Sequence, residues 1–152
     1  GEKTIEVRKT RPKLETPFKC YIYCTIGNGV KGDYLVPSNI QCGKVIGEFV
    51  CDHIYEIDCA QDFRSNRWLL KESCLKTKDI EEYLAPKWFG YGWHISDLKI
   101  YDKPKPIMQF YKPCPIEIKN CPVCELYSKY TGCCMNNIDR PPQSWCYVES
   151  ME

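Results

Sequence analysis

Short strand-like runs separated by Gly and Pro dominate the sequence and most constrain its fold. Residues 17–26 and 44–57 are rich in β-branched and aromatic residues, a composition typical of strands, and apolar and polar positions alternate in 17–26. Gly47 lies inside the second run, where a glycine indicates a bulge or a bend. Further strands are predicted over Trp93–Tyr101, after a glycine-rich turn, and near Ser144–Glu149.

One segment has helical character. Residues Thr77–Leu84 form a short polar and apolar pattern that Thr77 or Asp79 would begin and that Pro86 would end. Residues 58–71 are mixed in character and predict a short strand or an irregular segment. Because no βαβ rhythm is present, we expect a mainly β (α+β) fold, an antiparallel barrel with one or two helices.

Composition narrows the class of protein. A chain of 152 residues with 43% hydrophobic and 27% charged residues is long enough for one domain with its own core. No apolar run reaches the roughly 18 residues that a membrane span needs, and the first residues are charged rather than a secretory signal. A net charge of +1 gives no general signal for a polyanionic partner.

The twelve cysteines need an explanation. They allow a disulfide framework, but Cys20, Cys24, Cys51 and Cys146 lie inside strand-like patterns, where a free thiol behaves as a small apolar side chain. We therefore expect a protein of the reducing cytoplasm.

The first ten residues, GEKTIEVRKT, alternate as an amphipathic strand. Ile5 and Val7 point to one face, and Glu6 and Arg8 point to the other, roughly 7 Å apart. Residues 1–20 hold six basic and three acidic residues, an excess that would suit a phosphate path. The pattern leaves two interpretations open: a solvated surface strand, or a polar site built on a strand.

Four motifs in order resemble one family. GEKTIEVRK is similar to the G-x-K-x-x-E-x-R signature of the ASCH domain, a member of the PUA-like superfamily of small RNA-associated β-barrels. KVIGEFVCDHI resembles the central barrel strand of that family. GYGWHISDLKIYDKPK and RPPQSWCYVE resemble the late strands of its phage and bacterial branch.

The resemblance implies a PUA-like/ASCH barrel over residues 1–112 and 141–152, a Cys-rich insertion over 113–140, and the cytoplasm of a bacterial or phage-infected cell. Family members usually carry a strand and a helix before the glycine, and without them we expect an open cleft and an unpaired edge.

The resemblance implies a cleft that holds RNA or a nucleotide beside the signature strand. Lys3, Glu6 and Arg8 match the signature, and Lys9 follows it. Lys3 would offer an ammonium group to a phosphate or a carbonyl, Glu6 would accept hydrogen bonds from a base, and Arg8 would bind phosphate in a bidentate manner. The alternative is a Glu6–Arg8 ion pair that only organises the strand.

A second predicted cluster consists of Trp93, His94 and Ser96, because aromatic and polar residues beside a basic strand suit base stacking. Trp93 also alternates with Ile95 in the manner of a core residue, and His94 also fits a purely structural role. The same structural interpretation holds for His53.

Two other functions stay open. Some relatives are amidohydrolases that deacylate a modified cytidine with a lysine, a threonine and a glutamate, and some are reported as nucleases. Lys3 matches that lysine, but Glu6 stands where the threonine would be, and Glu72 lies near the position of the glutamate. Lys3, Glu6 and Glu72 are therefore the catalytic candidates if the protein is an enzyme. The third possibility is a phage or mobile-element scaffold that binds a host protein.

The insertion suggests a structural zinc ion. Cys114, Cys121, Cys124 and Cys133, with Cys134 as an alternative, surround a CPVC turn whose thiolates would share a tetrahedral ion. The spacing matches no standard zinc finger, so free thiols and disulfides stay open as alternatives.

Overall fold

Residues 1–25, 43–59, 67–113 and 137–149 are described in the computed structural model. Its elements, in chain order, are β1 (Ile5–Arg8), β2 (Phe18–Cys24), β3 (Lys44–Cys51), β4 (Ile54–Asp58), α1 (Arg67–Ser73), α2 (Thr77–Leu84), β5 (Phe89–His94), β6 (Ser96–Pro106) and a 3₁₀ helix (Ile107–Gln109). The strands form two sheets, with the orders β1-β5-β4 and β2-β3-β6. This mainly β arrangement with two helices confirms the predicted fold class. Within the described ranges, no helix is long and apolar enough to span a membrane.

The chain divides into two units, Gly1–Cys20 with Glu48–Lys99, and Tyr21–Gly47 with Ile100–Glu152. The first unit holds the β1-β5-β4 sheet and both helices. Ile5 and Val7 are buried, as the alternation of β1 predicts, and they pack with side chains of α1 and α2. The buried residues of this core are Ile5, Val7, Ile57, Cys59, Leu69, Ile80 and Leu84.

Two glycines of β5 allow this close packing. A Cβ atom on Gly90 would lie 2.5 Å from Leu84 Cδ2 and 2.9 Å from the backbone oxygen of Arg8. On Gly92 it would lie 2.9 Å from Ile5 Cγ2. All three distances are shorter than those of real Cβ contacts, so the glycines let a helix and a strand approach β5. The sequence predicted a turn at these residues, which is wrong.

The second unit has a core of its own. Val45, Phe110 and Ile138 are buried there, and Tyr21 meets Phe110 edge to face with ring centroids 4.9 Å apart. The backbone N–H of Ile138 donates to the carbonyl oxygen of Phe110 at 3.0 Å, which ties the segment after residue 136 to this core.

Helix α2 confirms the predicted bounds, Thr77–Leu84. Its N-cap is Lys76 rather than Thr77 or Asp79. The Asp79 carboxylate instead accepts a hydrogen bond from the Lys76 backbone N–H at 3.0 Å, which satisfies a donor ahead of the first turn.

The predicted strand over 44–57 is two strands, β3 and β4, which belong to different sheets. The break falls at Asp52 and His53. The Asp52 side chain accepts a hydrogen bond from the His94 ring, and the His53 carbonyl oxygen accepts one from the His94 backbone N–H. In the same way, Ile95 separates β5 from β6 where one strand was predicted over Trp93–Tyr101. Its backbone N–H donates to the Thr4 carbonyl oxygen at 2.8 Å. Contacts distant in sequence therefore interrupt both strands.

Two further predictions, for residues 58–71 and 144–149, are wrong. Residues Arg67–Ser73 form a helix where a strand or an irregular segment was expected, because Leu69 is buried in the first unit's core. Residues 144–149 form no strand, although the Glu149 N–H donates to the Tyr111 carbonyl oxygen at 2.9 Å.

The cysteines proposed as zinc ligands, Cys114, Cys121, Cys124, Cys133 and Cys134, lie outside the described residues. Most of the predicted insertion at 113–140 lies there too, so its boundaries stay a prediction. Among the described cysteines, Cys20, Cys51, Cys74 and Cys146 are free thiols.

Burial should make two of these thiols unreactive. It raises the pKa of Cys20 to about 12 and that of Cys51 to about 11, so almost no thiolate forms at pH 8. Of Cys20, Cys51 and Cys74, we expect iodoacetamide at that pH to modify the exposed Cys74 first, as peptide mass spectrometry would show. The same reaction in urea, as a control, should modify all three thiols, and equal native rates for Cys51 and Cys74 would contradict the prediction.

Candidate functional site

One face of the β1-β5-β4 sheet carries the signature residues. Strand β1 pairs with β5 so that Glu6 lies opposite Trp93 and Arg8 lies opposite Tyr91. Directly opposite residues of an antiparallel pair share a face. Ile5 and Val7 point to the other face, toward the helices. The polar side chains of β1 are therefore on the face opposite the helices.

Lys3, Glu6 and Arg8 form one ionic cluster. Lys3 Nζ lies 2.6 Å from Glu6 Oε2, and an Arg8 guanidinium nitrogen lies 2.8 Å from Glu6 Oε1. The three side chains are 41%, 24% and 28% exposed, respectively. The structure thus brings the three signature residues together, with each oxygen of one carboxylate holding one cation. The cluster carries a net charge of +1 and keeps part of both cations open to solvent.

Lys9 is engaged elsewhere in the first unit. Its Nζ lies 3.5 Å from the carbonyl oxygen of Ala85, just after α2, and 5.1 Å from the ring centroid of Tyr83. These contacts connect the end of β1 to α2 and are a structural use of the side chain. Its predicted role in RNA binding stays a prediction.

Trp93 is in the interior. The residue is 6% exposed and meets Phe18 edge to face, with ring centroids 5.7 Å apart. Trp93 therefore has the core role that the sequence offered as an alternative to base stacking. At this burial, the ring has no exposed face on which a base could stack.

His94 and Ser96 converge on Asp52. His94 Nδ1 lies 2.6 Å from Asp52 Oδ1, and since an ionised carboxylate only accepts, Nδ1–H is the donor. The Ser96 hydroxyl donates to the Val50 carbonyl oxygen at 2.9 Å and also contacts Asp52. The hydrogen bond from His94 is the main reason that the pKa of Asp52 lies below its ordinary value, and Ser96 adds to it.

Replacing His94 by Gln should raise the pKa of Asp52 toward its ordinary value. Because the folded-state pKa is lowered, the pair stabilises the fold above about pH 4 and this contribution is lost as the pH falls through the folded-state pKa. An NMR titration of the Asp52 carboxyl carbon measures the shift. His53→Gln is the matched control, since its ring lies against Tyr55, and an unchanged Asp52 titration in His94→Gln would refute the assignment.

A hydroxyl and a carboxylate meet at the start of β1. The Thr4 hydroxyl donates to Glu72 Oε2, and the Thr4 backbone N–H donates to the Glu72 carbonyl oxygen at 2.8 Å. Glu72 belongs to α1, so this pair joins the helix to the signature strand. The sequence placed Glu72 among the catalytic candidates without a hydroxyl beside it; the Thr4 hydroxyl is its partner in the structure, and a catalytic role stays a prediction.

Sequence reasoning missed three polar residues here: Thr4, Asp52 and Glu56. Glu56 lies opposite Tyr91 in the β4–β5 pair and therefore shares the face of Arg8. Thr4 lies just ahead of β1 and its hydroxyl reaches α1, so its parity with Glu6 in the strand pattern did not indicate this partner. Asp52 and Glu56 could not be found from a strand pattern either, because the continuous pattern over 44–57 concealed the break between β3 and β4. Among the described residues, no group of three or more His, Cys, Asp or Glu side chains is arranged to hold a metal ion.

Comparison with known proteins places the fold. No protein-family model matches the sequence, and no significant match is found among curated proteins. Among solved structures, the chain is similar to that described as "Crystal structure of ASCH from Zymomonas mobilis", with a TM-score of 0.54 and 19% sequence identity. The similarity covers 95% of this chain and 73% of that chain. The chain therefore has an ASCH-like fold, as the order of its four motifs predicted.

Proposed function

We propose that the protein binds RNA or a nucleotide on the β1 face of the first unit. The observation that carries the proposal is the ionic cluster, in which Glu6 holds Lys3 at 2.6 Å and Arg8 at 2.8 Å on one partly exposed face. The ASCH-like fold and the signature residues support it, because the resemblance implies an RNA or nucleotide cleft beside this strand.

The energetics of the cluster suit a binding site. Ion pairs with this exposure are worth about 0–1 kcal/mol each, since water screens them. A phosphate can therefore take hydrogen bonds from Arg8 and Lys3 at little cost to the fold. Charge-assisted hydrogen bonds to phosphate are worth about 1.5–3 kcal/mol each. Glu6 keeps both cations on the same face before the ligand arrives.

Fluorescence anisotropy with a labelled single-stranded RNA tests the proposal. Titrations at several salt concentrations should each give saturable binding. The logarithm of the association constant should fall linearly with the logarithm of the salt concentration, with a slope of about −0.7 for each phosphate contact. A free nucleoside monophosphate should compete. Absence of saturable binding to RNA and nucleotide alike would refute the proposal.

A hydrolase is the second candidate function, and the Thr4–Glu72 pair favours it. Glu72 would take the hydroxyl proton while Thr4 Oγ attacks the acyl carbon of an N-acylated cytidine. The proton would then go to the departing amine, and water would hydrolyse the acyl ester. Release of cytidine that Thr4→Val and Glu72→Gln both abolish would establish this activity, and no release by the unmodified protein would exclude it for this substrate.

The scaffold function and the zinc site stay predictions. A host protein that co-purifies with the chain, in the absence of RNA binding and turnover, would favour the scaffold. Zinc analysis of the reduced protein would test the cysteine cluster.

A further inference from the structure

Tyr91 lies in the middle of a row of side chains that crosses the first sheet. In the registers of the two strand pairs, Tyr91 is opposite Arg8 on β1 and opposite Glu56 on β4. All three therefore share the face that carries Glu6. The row has a cation at one end, a carboxylate at the other and an aromatic ring between them.

A second aromatic ring stands beside Tyr91. Phe89 lies two residues earlier in β5 and so points to the same face. The ring centroids of Phe89 and Tyr91 are 5.4 Å apart, and the ring planes meet at 90°. Two perpendicular rings form a corner: a flat ligand that stacks on one ring meets the other with its edge.

The corner is open while its neighbour is covered. Along this face of β5, Trp93 is 6% exposed against Phe18, whereas Phe89 is 36% exposed. Tyr91, between them, is half-buried. Since the Phe89 ring and the charged row lie on the same face, the apolar surface and the hydrogen-bonding groups are available to one ligand.

We propose that the Phe89–Tyr91 corner binds a single unpaired nucleobase of the RNA or nucleotide. The base would stack on one of the two rings, its phosphate would face Arg8, and Glu56 would accept hydrogen bonds from a base amino group or a ribose hydroxyl. Glu56 opposite Tyr91 and Asp58 opposite Phe89 put two carboxylates beside the rings. They disfavour a second phosphate there, so the chemistry selects one nucleoside rather than a continuous backbone. This inference rests on the proposed function, since it assigns a base subsite to the same face.

Substitution of the rings tests the corner. Stacking on an aromatic side chain is worth about 1–3 kcal/mol per base, which corresponds to about five- to 150-fold in affinity. We therefore expect Phe89→Leu and Tyr91→Leu to weaken binding of a labelled single-stranded RNA by about tenfold each. Tyr91→Phe should keep the affinity, because the ring remains. Trp68→Leu, which removes another aromatic residue, 41% exposed and on α1, should also keep it.

An oligonucleotide in which abasic residues replace the bases separates stacking from phosphate binding. The unmodified protein should bind it about tenfold more weakly than the ordinary RNA, and Phe89→Leu should bind the two oligonucleotides nearly equally.

If Phe89→Leu and Tyr91→Leu bind ordinary RNA as tightly as the unmodified protein, the assignment of the corner as a base subsite is wrong while the proposed function stands. If the unmodified protein binds neither RNA nor nucleotide, both are wrong. Far-ultraviolet circular dichroism confirms the fold of each variant, and exposed Phe89 provides the test if Tyr91→Leu does not fold.

Discussion

Arg8→Gln is expected to weaken binding of single-stranded RNA by about tenfold to 150-fold, the equivalent of losing about 1.5–3 kcal/mol of charge-assisted hydrogen bonding. Gln keeps much of the length of the side chain but removes the charge. The slope of the logarithm of the association constant against the logarithm of the salt concentration should decrease in magnitude by about 0.7, the value for one phosphate contact. Stability should change by less than about 1 kcal/mol, because the Arg8–Glu6 pair is partly exposed and Lys3 still holds Glu6.

Lys78→Gln is the matched control for this experiment. Lys78 loses the same charge, but it lies on α2, where its Nζ is 3.6 Å from Glu82 and its side chain is 81% exposed. Its removal should leave the affinity within about twofold of the unmodified protein. Equal losses in Arg8→Gln and Lys78→Gln would show that the protein binds RNA through its general charge and not through the β1 face.

Gly90→Ala is expected to destabilise the first unit by about 1–3 kcal/mol, the usual cost of overpacking a core. The new methyl group would lie 2.5 Å from Leu84 Cδ2, which can turn aside, and 2.9 Å from the backbone oxygen of Arg8, which cannot move without displacing β1. Urea denaturation should show a midpoint lower by about 1 M for a change of this size. Gly1→Ala is the control, because no atom lies within 4 Å of a Cβ atom there.

A double substitution identifies the cause of that loss. Leu84 is 1% exposed, so Leu84→Ala should cost about 2–5 kcal/mol alone. If Leu84 is the main obstacle, Gly90→Ala should cost less in the Leu84→Ala background, with a coupling of about 0.5 kcal/mol or more. Strictly additive losses would instead assign the cost to the Arg8 carbonyl oxygen or to β5 itself.

Local patterns predicted the parts of this fold that local physics determines. In β1, the apolar residues Ile5 and Val7 alternate with polar residues, and Pro86 follows the helical pattern of Thr77–Leu84. Strand β1 and helix α2 could therefore be predicted from their own residues. The break at Asp52 and His53 could not be predicted, because no Gly or Pro marks it and its partner is His94, 42 positions away. The turn predicted at the glycines of β5 is wrong for a similar reason, since their role depends on residues distant in sequence. These glycines suggest a turn in sequence, yet Leu84 and Ile5 require them in space.

The candidate site divides in the same way. Lys3, Glu6 and Arg8 were predicted because they match one signature motif and lie within six consecutive positions, just before and along β1. The placement of the Phe89–Tyr91 corner beside Arg8 and Glu56 depends on the register between β5 and its two neighbours, and a sequence does not contain that register. Thr4 was within reach of the strand pattern, but its partner Glu72 comes from α1, a helix that the sequence did not predict.

The separation of the two faces of the β1-β5-β4 sheet has a consequence for how such a protein can change. Substitutions on the helix side, at Ile5, Val7 or Gly90, alter packed atoms and should be strongly selected against. Positions of the other side that are partly exposed, such as Arg8, or exposed, such as Phe89, should tolerate many residues without loss of folding. A library randomised at those positions alone would therefore retain mostly folded members, and ligand preference could diverge on this scaffold while its stability is conserved.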